Sequence, residues 1–359
     1  MKILCFTDCL GAGGAQRQLV GLASMLHQKG MDVKVCYYHD MPFYNGFLDE
    51  KGVRHELIPH ADSHFKRIPA VIRFFHREKP DWIIAYQETP STVAAIAKIC
   101  CGRFRLIVSE RTTMQQLLFK DRMRFLLYRR ADAIVPNSYS QERFISKNYP
   151  NLSGKTAVIT NYVDLEMFPF TRHERKEKPV IAVAASIWEI KNTLNFIDAA
   201  KRLKSAGIRF EIRWYGLFPT TTPYVEACIR KVDENGLNDV FRFFPKTNDI
   251  ASVYREADYF CLPSLHEGTP NVICEAMSSG LPVACSNVCD NGIYVREGVN
   301  GFLFNPSDSE EMSETISRML SVSDAEYANL CSNSRRLAEE LLSGDVFLNK
   351  YLKIINKPL

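Results

Sequence analysis

Several features that would each define a class of protein are missing from this sequence. No run of about 18 uncharged apolar residues occurs, and the best stretch, Val180 to Trp188, is too short for a membrane span. The amino terminus, MKILCFTDCL, has one lysine and an apolar run broken by Asp8, so it reads as a first strand and not as a signal peptide. Eleven cysteines are present but none forms a Cys-x-x-Cys pair. Cys5 and Cys9, and Cys285 and Cys289, are four apart, while Cys100 and Cys101 are adjacent. With no secretion signal and no zinc spacing, reduced and mostly buried cysteines of a cytosolic protein are expected. No Asp-x-Asp pair occurs, so a metal clamp of that kind is not indicated. An excess of one charge sign is also lacking: 45 Lys plus Arg against 41 Asp plus Glu leave +4, which argues against a disordered chain and against a histone-like nucleic-acid binder. There is no internal repeat and no low-complexity tract.

What is present is length and apolar content. A chain of 359 residues, 46% hydrophobic, can build two cores. Short β-branched runs alternate with amphipathic stretches, the pattern of parallel strands joined by crossover helices. In the first half the spacing predicts strands at Lys2 to Thr7, Asp32 to Tyr38, Val53 to Ile58, Trp82 to Tyr86, Leu106 to Ser109, Ala133 to Pro136 and Ala157 to Thr160, with helices such as Ala15 to Gln28 and Ser91 to Cys100. The polar stretch TRHERKEKP after Phe168 reads as a linker. The alternation restarts with Val180 to Ser186, Phe210 to Trp214, Phe241 to Phe244, Tyr259 to Leu262 and Val283 to Cys285. Two doubly wound α/β domains are therefore expected, residues 1–168 and 169–359, with chemistry in the cleft they face and a helical tail from Asp324 free to pack back on the first domain. Residues 1–168 hold 23 Lys plus Arg and 16 Asp plus Glu, so a basic half of +7 stands beside a half of −3.

Two motifs carry candidate chemistry. Gly11-Ala-Gly-Gly-Ala15 follows the first strand, where Gly13 and Gly14 let a ligand approach the backbone and a helix amino terminus offers free N–H groups. A dinucleotide fingerprint would need glycine at position 16, which is Gln16. The second stretch runs from Leu262 to Val283. Glu267 lies in a loop after a strand, Pro270 fits a first helical turn, Glu275 lies about a turn inside that helix, and the amides near Thr269 to Val272 suit a phosphate. On spacing alone, two surface glutamates beside a well-capped helix remain an equal reading.

EGTPNVICEAMSSGLPVACS resembles the nucleotide-sugar-binding segment of retaining GT-B glycosyltransferases of family 4, whose signature is Glu, seven residues, Glu. GAGGAQ, ITNYVDLEMF, Lys191 and EGVNGFLFNPSD match in the same order, so the resemblance covers the whole chain. It implies a GT-B fold of two Rossmann-like domains and transfer of a sugar with retention, without metal or other cofactor. It further implies that Glu275 binds ribose hydroxyls, that Glu267 lies beside the transferred sugar, and that amides of Gly268, Thr269, Pro270 and Asn271 line the sugar and distal phosphate (Pro270 itself has no N–H to offer). Lys191 would neutralise the leaving diphosphate, Gly13 and Gly14 would approach it, and Lys246, after a strand end, would lie near the base. The family's arginine about five residues before the lysine is Ser186 here, and the family's first-domain histidine is replaced by Arg111, which would supply the lost cation. Otherwise Arg111 is a surface arginine paired with Glu110.

Two basic stretches remain. HFKRIPAVIRFFHREKP places Ile68, Val71, Ile72 and Phe75 on one helical face and Lys66, Arg67, Arg73, Arg77 and Lys79 on the others, and DRMRFLLYRRAD holds Arg122, Arg124, Arg129 and Arg130. Ordinary outer helices with a solvated face are an equal reading; the alternative is docking to an anionic membrane, and nucleic acid is less favoured because no recognition module accompanies them. The expected function is glycosyl transfer from a nucleotide-sugar donor, UDP-linked in preference to GDP-linked, to a glycan or lipid-linked acceptor in cell-surface polysaccharide synthesis. The expected location is cytoplasmic, or peripheral on the inner face of the membrane. The alternatives are a catalytically weak sugar-nucleotide or lipid-binding protein on the same fold, and a nicotinamide-dependent oxidoreductase, which Gln16 opposes.

Overall fold

A computed structural model of the chain describes residues 1–111, 118–171, 175–217 and 221–357, with the backbone alone at His64. The chain divides into two units, Met1–Tyr162 with Gly344–Leu359, and Val163–Ser343. The first runs β1 (Lys2–Phe6), α1 (Gly14–Gln28), β2 (Asp32–Tyr37), α2 (Asn45–Glu50), β3 (Arg54–Leu57), α3 (His64–Glu78), β4 (Trp82–Tyr86), α4 (Glu88–Cys101), β5 (Arg105–Glu110), α5 (Phe119–Tyr128), β6 (Ala133–Pro136) and α6 (Tyr139–Asn148). The second runs β7 (Val180–Ala184), a 3-10 turn at Glu189–Lys191, α7 (Thr193–Ser205), β8 (Glu211–Leu217), α8 (Pro223–Glu234), β9 (Phe241–Pro245), α9 (Ile250–Glu256), β10 (Tyr259–Leu262), α10 (Asn271–Ser278), β11 (Val283–Ser286), α11 (Asn291–Tyr294), β12 (Gly301–Phe304), α12 (Ser309–Leu320) and α13 (Asp324–Leu342). The last helix, α14 (Gly344–Ile355), belongs to the first unit. Part of the expected linker, residues 172–174, lies outside the described residues.

Each unit holds one six-stranded parallel sheet, in the orders β3-β2-β1-β4-β5-β6 and β12-β11-β10-β7-β8-β9. Read outward from the first strand of each, the two orders are the same, and it is the dinucleotide-fold order. Strands such as WIIAY and VIAVA are buried at every position because helices cover both faces. In the first unit α1 and α14 pack on one face of the sheet, and α3, α4 and α5 on the other. Phe347, Leu348, Tyr351 and Ile355 of α14 join the α1 core, where the Tyr351 hydroxyl lies 2.8 Å from that of Tyr86.

Three expectations differ from the fold, the first being the domain boundary, which falls after Tyr162 and not after Phe168. Ala157 to Thr160 is no strand: it lies along β6 through only two bonds, Ala157 N–H to Ile134 and Ile159 N–H to Pro136, and Pro136 has no N–H to return. Gly301–Phe304, read from sequence only as part of a motif, is the edge strand β12. Its glycine is required by the pairing, since a Cβ there would sit 1.9 Å from the Val283 carbonyl oxygen.

Gly216 in β8 has φ +148°, and a Cβ on it would lie 2.0 Å from the Ala185 carbonyl oxygen, which also accepts the Trp214 indole N–H at 2.7 Å. The end of β8 is thereby pressed against the segment after β7 that leads to Lys191. Gly216→Ala is expected to destabilise the protein by about 3 kcal/mol, because backbone and not a flexible side chain must move. Urea unfolding measures this, and a change within about 0.5 kcal/mol would show that the approach is not needed.

Candidate functional site

In the second unit the strand order reverses between β7 and β10. The helices that follow them, α7 and α10, cover opposite faces of the sheet, and a crevice therefore opens at the carboxyl ends of these two strands. Lys191 ends the 3-10 turn after β7. Asn192, left-handed at φ +59°, fixes that turn by donating its side-chain amide to the Pro306 carbonyl at 2.7 Å. Glu267 comes from the loop after β10, tied to the same turn by the Leu265 N–H to Ile190 carbonyl bond of 2.8 Å. The result is an ion pair, Lys191 Nζ to Glu267 Oε1 at 2.5 Å, with side chains 23% and 11% exposed.

Glu275 lies in the second turn of α10 and is only 5% exposed; its Oε2 accepts from the Tyr254 hydroxyl at 3.4 Å. Neither glutamate is a free surface carboxylate. Pro270 is the N-cap of α10, one residue earlier than the first-turn position expected, and its own side chain makes no capping bond. Of the amides expected to be open, that of Asn271 donates to the Thr269 carbonyl at 2.9 Å. Gly268 and Thr269 are half-buried beside Glu267. Lys246 is exposed just after β9, held by its amide to Leu217, near the stacked rings of Tyr215 and Phe244, whose centroids are 4.9 Å apart.

Three features of this unit escape a reading of the sequence. Tyr254 on α9 meets Glu275 from 21 residues away. The Cys289 thiol lies 3.2 Å from Nδ1 of His266, next to Glu267. Trp188 and Ile190, before Lys191, and Leu265, before Glu267, are exposed apolar residues beside the ion pair. Only the last had a sequence signal, three large apolar residues in turns.

In the first unit Gly13 is the N-cap of α1 in an extended conformation and Gly14 opens the helix. A Cβ at Gly13 would meet Gln16 Oε1 at 2.2 Å, and the Gln16 amide donates to Asp8 at 3.0 Å. Arg111, after β5, donates to Asn161 Oδ1 at 3.0 Å and to the Tyr351 hydroxyl at 2.7 Å, with its guanidinium 4.0 Å from the Tyr86 ring centroid. It is not paired with Glu110. Glu110 is fully buried, accepts from the Tyr128 hydroxyl at 2.6 Å and faces Arg124 at 3.2 Å, and Arg124 also meets Glu88 at 2.6 Å and Asp121 at 3.3 Å. The basic stretches shrink accordingly. Arg124 is interior, and so is Arg67, which donates to the carbonyls of Ala61 and Asp62 and lies 4.1 Å from the Tyr38 ring centroid.

Two Rossmann-like sheets with a Lys–Glu pair at the order reversal of the second define a protein of the GT-B type. Residues 178–322 match the family model described as glycosyl transferases group 1, and residues 12–167 the one described as glycosyltransferase family 4. The chain belongs to the GT-B glycosyltransferases of this group 1/family 4 kind. It is 31% identical over 196 residues to the UDP-Gal:alpha-D-GlcNAc-diphosphoundecaprenol alpha-1,3-galactosyltransferase of Escherichia coli, covering 51% of this chain and 49% of that protein. The chain spans about half the length of the curated relatives it matches. A glycosyltransferase from Rickettsia africae superposes with TM-score 0.86 at 14% identity, and Anabaena HepE in complex with UDP with TM-score 0.83 at 20%, each over 99% of both chains.

The cluster around Glu110 carries a pH signature. Burial raises the Glu110 carboxyl above its ordinary value of 4.5, opposed by Arg124 and the Tyr128 hydroxyl and reinforced by Glu88 and Asp121. Ionisation is then harder in the fold than in the unfolded chain, so its contribution to stability is best at low pH and falls as pH rises from the ordinary value through the raised one. Glu110→Gln removes that fall. In urea unfolding the stability of the variant relative to wild type should rise as the pH increases above about 4.5, whereas a constant difference would show that Glu110 does not titrate in this way.

Proposed function

We propose that the chain is a retaining glycosyltransferase that moves a sugar from a nucleotide diphosphate donor, UDP-linked, to a glycan or lipid-linked acceptor in cell-surface polysaccharide synthesis. The observation that carries this reading is the 2.5 Å Lys191–Glu267 pair at the strand-order reversal, with Glu275 buried on the helix that follows Glu267. A lysine held by a carboxylate can pass to phosphate oxygens, leaving the carboxylate free to accept hydrogen bonds from hydroxyls. The donor's diphosphate would take Lys191, and Glu267, released, would accept hydroxyl hydrogens of the transferred sugar.

Departure of the nucleoside diphosphate builds negative charge that Lys191 and the amino end of α10 would meet without a divalent cation. Glu275, held by Tyr254, would accept two ribose hydroxyls, while the amides around Gly268 and Thr269 border the sugar and distal phosphate. Gly13 and Gly14, on the first unit, would give the diphosphate and acceptor close access to the backbone, and Lys246 and the Tyr215–Phe244 pair would border the base. Two facts favour a UDP-sugar and a lipid-linked acceptor. The E. coli relative's name specifies UDP-Gal and a diphosphoundecaprenol acceptor, and HepE is titled as a complex with UDP. Such an acceptor would bring the chain to an anionic membrane surface. Arg111 enters as a second cation only because Ser186 stands where the family has arginine.

Glu275→Ala should weaken UDP binding about tenfold to a hundredfold, the loss of hydrogen bonds to a buried charge, as read by calorimetric titration. Glu267→Gln should lower turnover about a hundredfold while UDP affinity stays within about threefold, because Lys191 is freed and not lost. Equal and mild effects of the two would defeat the assignment. Arg111→Ala separates its two roles: turnover lost with melting unchanged keeps it as the cation, and melting lowered with turnover per folded molecule unchanged removes it.

A further inference from the structure

We propose that the second unit carries a subsite for a neutral saccharide beside the Lys191–Glu267 pair, formed by Trp188, Ile190 and Leu265 and by a cavity that Leu265 also lines. The chain has three tryptophans. Trp82 and Trp214 are 2% and 0% exposed, whereas Trp188 is 51% exposed and its indole makes no hydrogen bond or ring contact among the described residues. Ile190 and Leu265 are 42% and 44% exposed. Single exposed apolar residues are ordinary, but these three are held as a group. The Lys191 N–H donates to the Trp188 carbonyl at 2.8 Å and the Leu265 N–H to the Ile190 carbonyl at 2.8 Å, so backbone bonds fix all three next to the ion pair.

The cavity measures about 500 Å³, a size that suits a small-molecule site, and opens at the carboxyl ends of β11 and β12, beside the strand whose loop carries Glu267. Asn287, Asn305, Ser307 and Glu311 form its polar wall, and Leu265 and Leu303 contribute apolar surface. The Asn287 side-chain amide and the Ser307 hydroxyl make no hydrogen bond among the described residues, and Glu311, which accepts from the Asn305 N–H at 3.0 Å, has no cationic partner among them. Two bonds tie this wall to the ion pair. One is the Leu265–Ile190 bond, and the other runs from the Asn192 side-chain amide, next to Lys191, to the carbonyl of the lining residue Pro306 at 2.7 Å.

The chemistry of the wall selects the occupant. A pyranose presents C–H groups on its faces, which an indole can cover, and hydroxyls around its rim, which amides, a hydroxyl and a carboxylate can bond. No lysine or arginine stands among the described residues that line the cavity, so a phosphate, an acidic sugar or an anionic lipid would face Glu311 without a compensating cation. Lys191 is engaged by Glu267 here, and by the donor's diphosphate in the proposed reading. An apolar chain would strip water from the polar wall and return no hydrogen bond. The subsite rests on the proposed reading in one respect: with the transferred sugar beside Glu267, a saccharide held here is the acceptor beyond the ring that receives the transfer. Binding of the saccharide itself needs no donor.

The test begins with acrylamide quenching of tryptophan fluorescence in the full chain, which reads Trp188 because Trp82 and Trp214 are buried. The probes are maltose, lactose, mannobiose and N,N′-diacetylchitobiose, with sucrose octasulfate as the anionic control and octyl glucoside as the apolar one. At least one neutral disaccharide is expected to shield Trp188 at millimolar concentration. In saturation-transfer NMR, Trp188→Ala should weaken that disaccharide about tenfold or more, Trp188→Tyr by less than about threefold because a ring is kept, and Asn287→Ala about fivefold. Melting temperature and UDP affinity should be unchanged in all three. No shielding by any of the four disaccharides overturns the proposal, as does equal shielding by sucrose octasulfate, or shielding by octyl glucoside alone. So does a concentration-dependent dimer in sedimentation that Trp188→Ala dissolves, since a second copy would then own the surface. UDP titration of the same preparations keeps the two readings apart: intact UDP binding without saccharide binding removes the subsite alone, and saccharide binding without UDP binding removes the donor reading alone.

Discussion

A parallel sheet covered by helices on both faces leaves polar groups one place to gather, at the ends of its strands, and most of the polar structure of this chain follows from that constraint. In the second unit it brings together loops from β7 and β10, which lie side by side in the sheet although their sequences are far apart. The Leu265–Ile190 backbone bond closes the two loops on each other, and the Asn192–Pro306 bond fixes the turn beneath Lys191. The 2.5 Å ion pair is thus set by backbone and not by a chance meeting of long side chains. A third strand contributes by pressure, since only glycine at position 216 lets β8 reach the Ala185 carbonyl.

The first unit repeats the strand order and fills the equivalent places differently. Where a dinucleotide fold would have its third glycine, Gln16 turns back over Gly13 and holds Asp8, so the loop after β1 is closed by its own side chain. The end of β5 carries two adjacent charges with opposite fates. Glu110 points into the layer of α5 and is buried among Arg124 and Tyr128, while Arg111 points to the other face and rests on Tyr86 under α14. Alternation along the strand separates them by one residue and two cores.

Much of this was legible beforehand, for identifiable reasons. The doubly wound α/β layout and most strand positions followed from buried β-branched runs, and strand spacing put Lys191 and Glu267 after strands and Glu275 inside the following helix. What could not be read depended on distance in sequence: the partners of Arg111 lie 50 and 240 residues away, and no local pattern announces them. Ala157 to Thr160 misled because β-branched composition does not reveal that the segment lies beside β6, whose Pro136 has no N–H to return. Arg124 was legible in principle. Residues 121, 124, 125 and 128 share one helical face with two aromatics, which marks the arginine as interior, and counting charges along the segment concealed it.

α14 bears on how the protein is made. The α1 face of the first unit is completed by Phe347, Leu348, Tyr351 and Ile355, all translated after the whole of the second unit, and Tyr351 also holds Arg111 and Tyr86. During synthesis the second unit has its whole sheet and α13 before that helix is available, so the amino-terminal unit, translated first, finishes second. Until then its α1 layer lacks four apolar side chains, and its nascent form is a natural client for whatever shields unfinished cores.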